Sequence, residues 1–138
     1  MKELLIRQQN NLEELALSSI LAKVLEKEQD GTLNGVFHCF NGTKEQADIA
    51  MSLGFYLGLG GVITYKNCDV KNFLCEIPLN KIVLETDDPY LPPVPYRGKR
   101  NEPSYMVEVA KKIAETKNID IKEVATATTN NAKLLFNL

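Results

Sequence analysis

Apolar residues follow a helical spacing in the first part of the chain, and from Gly35 onward short strand-like runs alternate with helical patterns. Between residue 2 and about residue 27, leucine and isoleucine recur mostly three or four positions apart, with charged residues between them. This spacing predicts a helix. Its phase slips near residues 17–19, where Ser18 or Ser19 can cap a new helix, so two helices are an alternative to one.

Short apolar runs alternate with helical patterns over the rest of the chain. Thr43 opens one helical pattern as an N-cap, with Gln46 at the position that completes a capping box. The alternation of strand and helix predicts an α/β fold with a parallel sheet, in a single domain over residues 1–138. The predicted strands are residues 35–40, 55–61 and 82–84, and the predicted helices are residues 44 to about 53, 69 to about 76, 104 to about 117 and 120 to about 128, with a final turn or two over residues 130–136.

Composition indicates an ordinary globular protein without a general affinity for nucleic acid. The net charge is −2, so any binding of nucleic acid must depend on a local basic cluster. No apolar run has the length of a membrane span and no signal-peptide pattern is present, so we expect no membrane association. Three cysteines without a Cys-x-x-Cys pair are most simply reduced thiols, which favours a cytoplasmic location.

The third predicted strand ends in a cluster of acids. Glu85 and Asp87 follow the apolar run at residues 82–84, and the alternation of side chains along a strand places both carboxylates on one face. The carboxyl end of a buried strand is where α/β folds hold metal ions and substrates. The other interpretation is a strand followed by an Asx-type turn, without a ligand.

His38, the only histidine, lies within the first predicted strand. A strand histidine is commonly structural, but a histidine and a carboxylate on adjacent strand ends can share a divalent cation. His38, Asp87 and Glu85 lack the second histidine of a well-formed zinc site, so a magnesium or manganese site is easier to build from them. Asp87 can alternatively act as a general base towards water.

A proline-rich loop follows the acids and carries a cluster of cations. Its four prolines between residues 89 and 95 exclude regular structure and hold the chain extended. Arg97, Lys99 and Arg100 then offer donors for phosphate, although basic loop residues are commonly only solvated. An acidic cluster beside a basic loop is the layout that a metal-dependent phosphodiester-cleaving site requires.

Four stretches of the sequence stand in a characteristic order: residues 36–42 (VFHCFNG), 54–58 (GFYLG), 84–91 (LETDDPYL) and 97–103 (RGKRNEP). Together they resemble the C-terminal half of TatD-type metal-dependent deoxyribonucleases, and the similarity covers about residues 33–136. Members of that family are (β/α)₈ barrels that use a divalent metal to hydrolyse phosphodiester bonds in DNA.

The resemblance implies a role for each matching residue. His38 would be a metal ligand, and Asp87 would be the metal-binding, water-activating catalytic aspartate. The cofactor would be a divalent cation, Mg²⁺, Mn²⁺ or Zn²⁺, and the substrate would be DNA. Glu85 would support the site, and three loop residues would organise the loop near the substrate phosphate: Arg97, Arg100 and Asn101.

The sequence also departs from the family pattern. The family has a His-x-His pair at the end of its first strand, a metal-bridging glutamate, and a further histidine on the strand before the one that carries His38; none of these can be placed here. The missing strand is expected near residues 15–20, where the helical pattern continues instead. The chain is therefore predicted to be a truncated, TIM-barrel-like (β/α) fragment with about three parallel strands, whereas a closed barrel has eight.

An open half-barrel leaves two strand edges without partners. Closure removes such edges in a full barrel, so we expect the fragment to form a homo-oligomer, or to aggregate, through the face and edges that helices do not cover. Two functional alternatives follow. The chain is either a metal-dependent hydrolase of DNA with an incomplete metal shell, or a non-catalytic remnant that folds as an oligomer or with a partner.

Overall fold

The computed structural model describes residues 3–7 and 12–138, with side chains described from Ile20 onward. Strands and helices alternate along the chain, which confirms the predicted α/β pattern. The four strands are β1 (Glu3–Arg7), β2 (Asn34–His38), β3 (Tyr56–Leu59) and β4 (Ile82–Leu84). The four helices are α1 (Leu12–Glu28), α2 (Lys44–Ser52), α3 (Met106–Lys117) and α4 (Ile121–Phe136).

The strands form one parallel sheet in the order β1-β2-β3-β4. Sequence order therefore equals spatial order, as in a (β/α) barrel. Helix α1 lies in the first crossover and α2 in the second, whereas the third crossover, from β3 to β4, contains only 3₁₀ turns. His38 is the last residue of β2, and Glu85 follows the last residue of β4. Both consequently lie at the carboxyl end of the sheet, with β3 between them.

The helix predicted over residues 2 to about 27 is present from residue 12 onward, whereas residues 3–7 form a strand. Residues 12–28 form the continuous helix α1, so the structure shows one helix here and not the alternative of two helices that meet near Ser18 or Ser19. Glu3–Arg7 is strand β1, paired with β2, so the strand expected near residues 15–20 lies earlier and the described strands number four rather than about three. A short leucine-isoleucine run does not tell strand from helix by spacing alone. Residues 1, 2 and 8–11 of the predicted helix lie outside the described residues.

The remaining boundaries differ from the predictions mainly at helix ends. The capping box is confirmed, because Thr43 accepts from the Gln46 amide while the Gln46 side chain accepts from the Thr43 amide. The predicted helix over residues 69–76 is instead two 3₁₀ turns, Asp69–Asn72 and Leu74–Glu76. Helix α4 runs without interruption to Phe136, because buried Asn131 donates from one side-chain amide to the carbonyls of Leu79 and Ile82 and so ties the helix to β4.

The sheet has two differently covered faces. Phe37, Leu57 and Ile82 pack into the main core with the helices. On the other face, Val36 and Val83 are buried against Leu135 near the end of α4. The prediction of one bare face is therefore wrong for this part of the sheet, since α4 reaches around to cover it. None of the helices in residues 12–138 combines the length and apolar character needed to cross a bilayer.

An apolar groove of about 560 Å³, which we call the flank groove, lies between α3 and α4 beside β4. Its lining includes Leu84, Val107, Ala110, Ala125 and Ala132. Val107 is 46% exposed there, although it belongs to an otherwise well-buried amphipathic helix. The helices thus cover the sheet but leave an unfilled apolar surface at its β4 end.

Candidate metal site and basic loop

The structure brings three sequence-predicted residues together at the carboxyl end of the sheet. The imidazole of His38 lies between two carboxylates: Nδ1 is 2.7 Å from Glu85 Oε2, and Nε2 is 2.6 Å from Asp87 Oδ1. One ligand atom from each residue lies within 4.8 Å of the others. All three side chains are at most 20% exposed, so the cluster is partly shielded from water.

The main chain aims Asp87 at the histidine. Strand β4 ends at Leu84, and Asp87 has a left-handed backbone with a φ of 57°. Because Asp87 lies beyond the strand, the predicted alternation of side chains explains why Glu85 faces His38 but does not explain why Asp87 faces it. A left-handed residue at the end of the strand turns it instead, a conformation that aspartate and asparagine adopt more readily than other side chains.

Glycines on the neighbouring strand make room for the acids. A Cβ added at Gly58 would overlap Glu85 Oε2, and a Cβ added at Gly60 would lie 3.4 Å from Asp87 Oδ2. The Glu85 carboxylate thus approaches the main chain of β3 so closely that Gly58 has no room for a Cβ, whereas Asp87 lies at ordinary contact distance from the position of a Cβ at Gly60, just after β3.

Burial changes the proton affinity of the groups around His38. It raises the pKa of Glu85 to about 7, the charge of Asp87 adds to the increase, and His38 opposes it. Burial also raises the pKa of the Cys39 thiol well above its usual range, with a further contribution from Asp87. The Cys39 amide donates to Glu85 Oε1, which fixes the second oxygen of that carboxylate. Cys39 is thus an inert neighbour of the cluster rather than a nucleophile.

The donor set fits a divalent cation. Asp87 Oδ2 is buried and has no hydrogen-bond partner, an arrangement that normally destabilises a protein unless a ligand or ion uses the atom. One imidazole and two carboxylates are ligands that manganese, zinc and, for the oxygen atoms, magnesium accept. The cluster of His38, Glu85 and Asp87 is the one group of three such ligands within the side chains that the structure describes.

Asn101 fixes the loop that follows the acids. Asn101 is 3% exposed, and its side-chain NH₂ donates to the carbonyls of Thr86 and Tyr90. Its main-chain N–H donates to the carbonyl of Pro89. These contacts join the end of the loop to its beginning, on both sides of Asp87. Asn101 therefore holds the loop against the acidic cluster through main-chain carbonyls.

The cations of the loop differ in how they are held. The guanidinium carbon of Arg97 lies 3.9 Å from the ring centroid of Tyr65, a close cation–π contact. The Tyr65 hydroxyl donates to the carbonyl of Pro92 at 2.9 Å, so the ring itself is tied to the loop. Lys99 Nζ lies 5.8 Å from the ring centroid of Tyr96, and Arg100 is exposed. Tyr65, which no sequence motif singled out, is the residue that positions Arg97.

Comparison with known proteins identifies what the chain resembles. A family model described as "TatD related DNase" matches residues 16–137. The chain is 46% identical over 116 residues to the uncharacterized metal-dependent hydrolase YabD of Bacillus subtilis. The aligned region covers 83% of this chain and 46% of that protein. It is 37% identical over 109 residues to the 3'-5' ssDNA/RNA exonuclease TatD of Edwardsiella piscicida, covering 75% of this chain and 42% of that protein.

Solved structures give the same result for the fold. The TatD homolog YJJV of Escherichia coli K12 superimposes with a TM-score of 0.80 and 31% identity, over 88% of this chain and 47% of that chain. A TatD-family hydrolase of Entamoeba histolytica superimposes with a TM-score of 0.73 at 23% identity, which concerns the fold alone. The chain spans about half the length of these relatives, in agreement with the predicted partial barrel.

Proposed function

Since the chain belongs to the family of TatD-related metal-dependent hydrolases, we propose that it forms the His38–Asp87 part of a divalent-metal-dependent hydrolase of DNA phosphodiester bonds. The observation that carries the proposal is the contact of both His38 ring nitrogens with Glu85 and Asp87. The 37% identity to a protein named as a single-stranded DNA and RNA exonuclease supports the choice of a nucleic-acid substrate.

His38 and Asp87 would hold the cation, with Glu85 beside them. A bound divalent cation supplies Lewis-acid polarisation of the phosphate and neutralises developing charge. The partnerless Asp87 Oδ2 is the atom that such an ion would satisfy. Mg²⁺, Mn²⁺ and Zn²⁺ all remain candidates, because the donor set contains both a nitrogen and hard oxygens.

The chain's own residues have separate tasks in this proposal. Asp87 accepts the proton of the attacking water, a role that suits a carboxylate partly shielded from solvent. Glu85 holds the imidazole of His38 in one orientation through Nδ1, as carboxylates commonly do for ligating histidines. Arg97 and Arg100 contact substrate phosphate oxygens, with Arg97 pre-positioned on the ring of Tyr65.

In this proposal Asn101 positions the loop and does not contact the substrate, since its described polar contacts join it to the main chain of the loop. We also propose a cytoplasmic location, which agrees with the three free cysteines. The proposal includes a homo-oligomer, because strands β1 and β4 stand at the two ends of the described sheet.

A second candidate function is a remnant that binds metal or a partner without catalysis. The observation that favours it is the small ligand set: the described side chains bring together one histidine and two carboxylates. Cleavage by the purified chain would exclude it, whereas metal binding without cleavage would support it.

The two candidates are separated by measuring single-stranded DNA cleavage and Mn²⁺ binding for the native chain, Asp87→Asn and Asp88→Asn. Asp88→Asn is the matched control, because it makes the same chemical change at an adjacent exposed position outside the cluster. We expect Asp87→Asn to lower cleavage by at least about 100-fold and to weaken Mn²⁺ binding, with Asp88→Asn close to native. Equal cleavage by all three proteins would refute the role of Asp87.

A further inference from the structure

Within residues 20–138, Tyr90 has the one tyrosine ring that contacts neither a cation nor a second aromatic ring. Each of the other tyrosine rings has such a partner: those of Tyr56, Tyr65, Tyr96 and Tyr105. Tyr90 is instead 73% exposed, in the loop that follows the acidic cluster. Most of this residue is therefore open to a ligand.

A single exposed ring is common on protein surfaces, but the main chain that carries this one is fixed at several points. The Tyr90 amide donates to the carbonyl of Asp87 at 2.8 Å, and the Tyr90 carbonyl accepts from the Asn101 side chain at 2.7 Å. The carbonyl of the next residue, Leu91, lies so close to Gly61 that a Cβ there would overlap it. A side chain on such a fixed main chain binds a ligand at little entropic cost, because the loop is already ordered.

The position of Tyr90 relates it to the candidate metal site. Its hydrogen bond to Asp87 closes a turn, which keeps the Cα atoms of the two residues within about 7 Å. Two residues beyond Tyr90, the carbonyl of Pro92 accepts from the hydroxyl of Tyr65, whose ring lies against Arg97. Along the loop, Tyr90 thus lies between the two features to which the proposed function assigns substrate phosphates.

The surroundings of Tyr90 suit a base better than a phosphate. The adjacent Asp88 is exposed, and its carboxylate would repel a phosphate at this point of the loop. A base carries no charge, and any base can stack on an aromatic ring through its flat face. Inside a duplex those faces are covered by the neighbouring base pairs, so stacking on a protein ring requires an unpaired base.

We infer that the ring of Tyr90 stacks on an unpaired base next to the phosphate held at the metal site, and so makes the chain prefer single-stranded to double-stranded DNA. The inference rests on the proposed function for the position of that phosphate. Stacking needs a flat ring and no hydroxyl, so phenylalanine should replace tyrosine here. Because every base offers a face, the preference is for an unpaired strand and not for a base sequence.

The experiment measures equilibrium binding of a short single-stranded oligothymidine that carries 2-aminopurine at one end or the other, whose fluorescence falls when that base stacks. All proteins carry Asp87→Asn to prevent cleavage; asparagine accepts the same backbone, and the turn to Tyr90 uses the main-chain carbonyl of residue 87. We expect this parent protein and its Tyr90→Phe variant to quench the probe. Tyr90→Ala should abolish quenching and raise the Kd about tenfold, the usual effect of losing one base–aromatic stack.

Two controls separate stacking from a general loss of binding. Phe136→Ala removes another exposed aromatic ring, 45% exposed at the end of α4, and should change neither Kd nor quenching. An abasic strand of equal length keeps the phosphates, so the parent protein and Tyr90→Ala should bind it equally; removing the ring and the base separately and together isolates their interaction. A blunt duplex should bind the parent more weakly than the single strand, and Tyr90→Ala should reduce that preference about tenfold. Urea unfolding of each variant checks folding.

Three outcomes would overturn the inference. They are equal Kd values of the parent protein and Tyr90→Ala for the base-containing strand, an equal loss of affinity for the abasic strand, and a parent protein that does not quench the probe. None of them bears on the metal-dependent reaction, which is tested by cleavage with Tyr90 intact. Conversely, cleavage that Asp87→Asn leaves unchanged would refute the proposed role of Asp87 while Tyr90-dependent quenching could still be measured.

Discussion

The carboxyl end of the sheet is tightly packed by the chain's own residues, whereas the flank beside β4 is not. At the carboxyl end, the carboxylates of Glu85 and Asp87 fill the space above the glycines of β3, and Asn101 fixes the loop by three main-chain carbonyls. At the flank, α3 and α4 leave an apolar groove of about 560 Å³. The chain's own contacts therefore specify the site in detail and leave its lateral surface unfilled, as expected for half of a larger closed structure.

The largest effect is expected where the carboxyl end has no spare volume. A Cβ at Gly61 would overlap the carbonyl of Leu91 and lie 2.9 Å from Pro93 N, and both are main-chain atoms that cannot rotate away. Gly61→Ala should lower the free energy of unfolding by about 3 kcal/mol, measured by urea denaturation. A change below about 0.5 kcal/mol would show that the loop is not held as tightly as described.

The second effect concerns metal affinity rather than stability. Gly58→Ala forces the carboxylate of Glu85 away from His38, because the new Cβ would overlap Glu85 Oε2. Mn²⁺ affinity should fall about 10- to 100-fold, the usual effect of losing a carboxylate that orients a ligating histidine. Calorimetric titration measures it, with the unfolding midpoint as the control for folding. Unchanged affinity would mean that Glu85 does not orient His38 for the ion.

A smaller effect is expected on the binding of single-stranded DNA by the basic loop. Arg97→Gln should weaken binding of single-stranded DNA and reduce the slope of log affinity against log salt by about 1, since one phosphate contact is lost. Lys122→Gln is the matched control, an exposed cation at the start of α4. Both changes are made in the background of Asp87→Asn, the variant that we propose to be inactive. Equal slopes in the two variants would contradict a phosphate contact by Arg97.

The smallest effect is expected on the outer surface of α4. Leu134 is 71% exposed, so Leu134→Ala should change the free energy of unfolding by less than about 0.5 kcal/mol. Its neighbour Leu135 is 2% exposed against Val36 and Val83, and Leu135→Ala should destabilise by about 3 kcal/mol. Thermal or urea unfolding of the pair measures the difference. Similar values for both would mean that α4 does not cover the second face of the sheet.

Local signals were enough to predict the central part of the fold. Thr43 and Gln46 form their capping box within four residues, and the short apolar run at residues 82–84, which begins with two β-branched residues, is a strand. The proximity of His38 to Asp87 also followed from sequence, because the carboxyl ends of parallel strands meet at one edge.

Tertiary contacts decided what the sequence did not show. Glu3–Arg7 is a strand because it pairs with β2, information that a run of three apolar residues does not contain. Helix α4 continues through residue 131 because an asparagine of low helix propensity bonds to β4. The position of Arg97 depends on Tyr65, which is distant in sequence and belongs to no recognisable motif.

The left-handed backbone at Asp87 has a consequence for how this position can vary. With a φ of 57°, glycine, asparagine and aspartate are accommodated more readily there than other residues, so glutamate would keep the charge yet strain the turn. Backbone strain therefore favours few side chains at position 87, and a lineage that lost the acid would be expected to retain asparagine or glycine in its place.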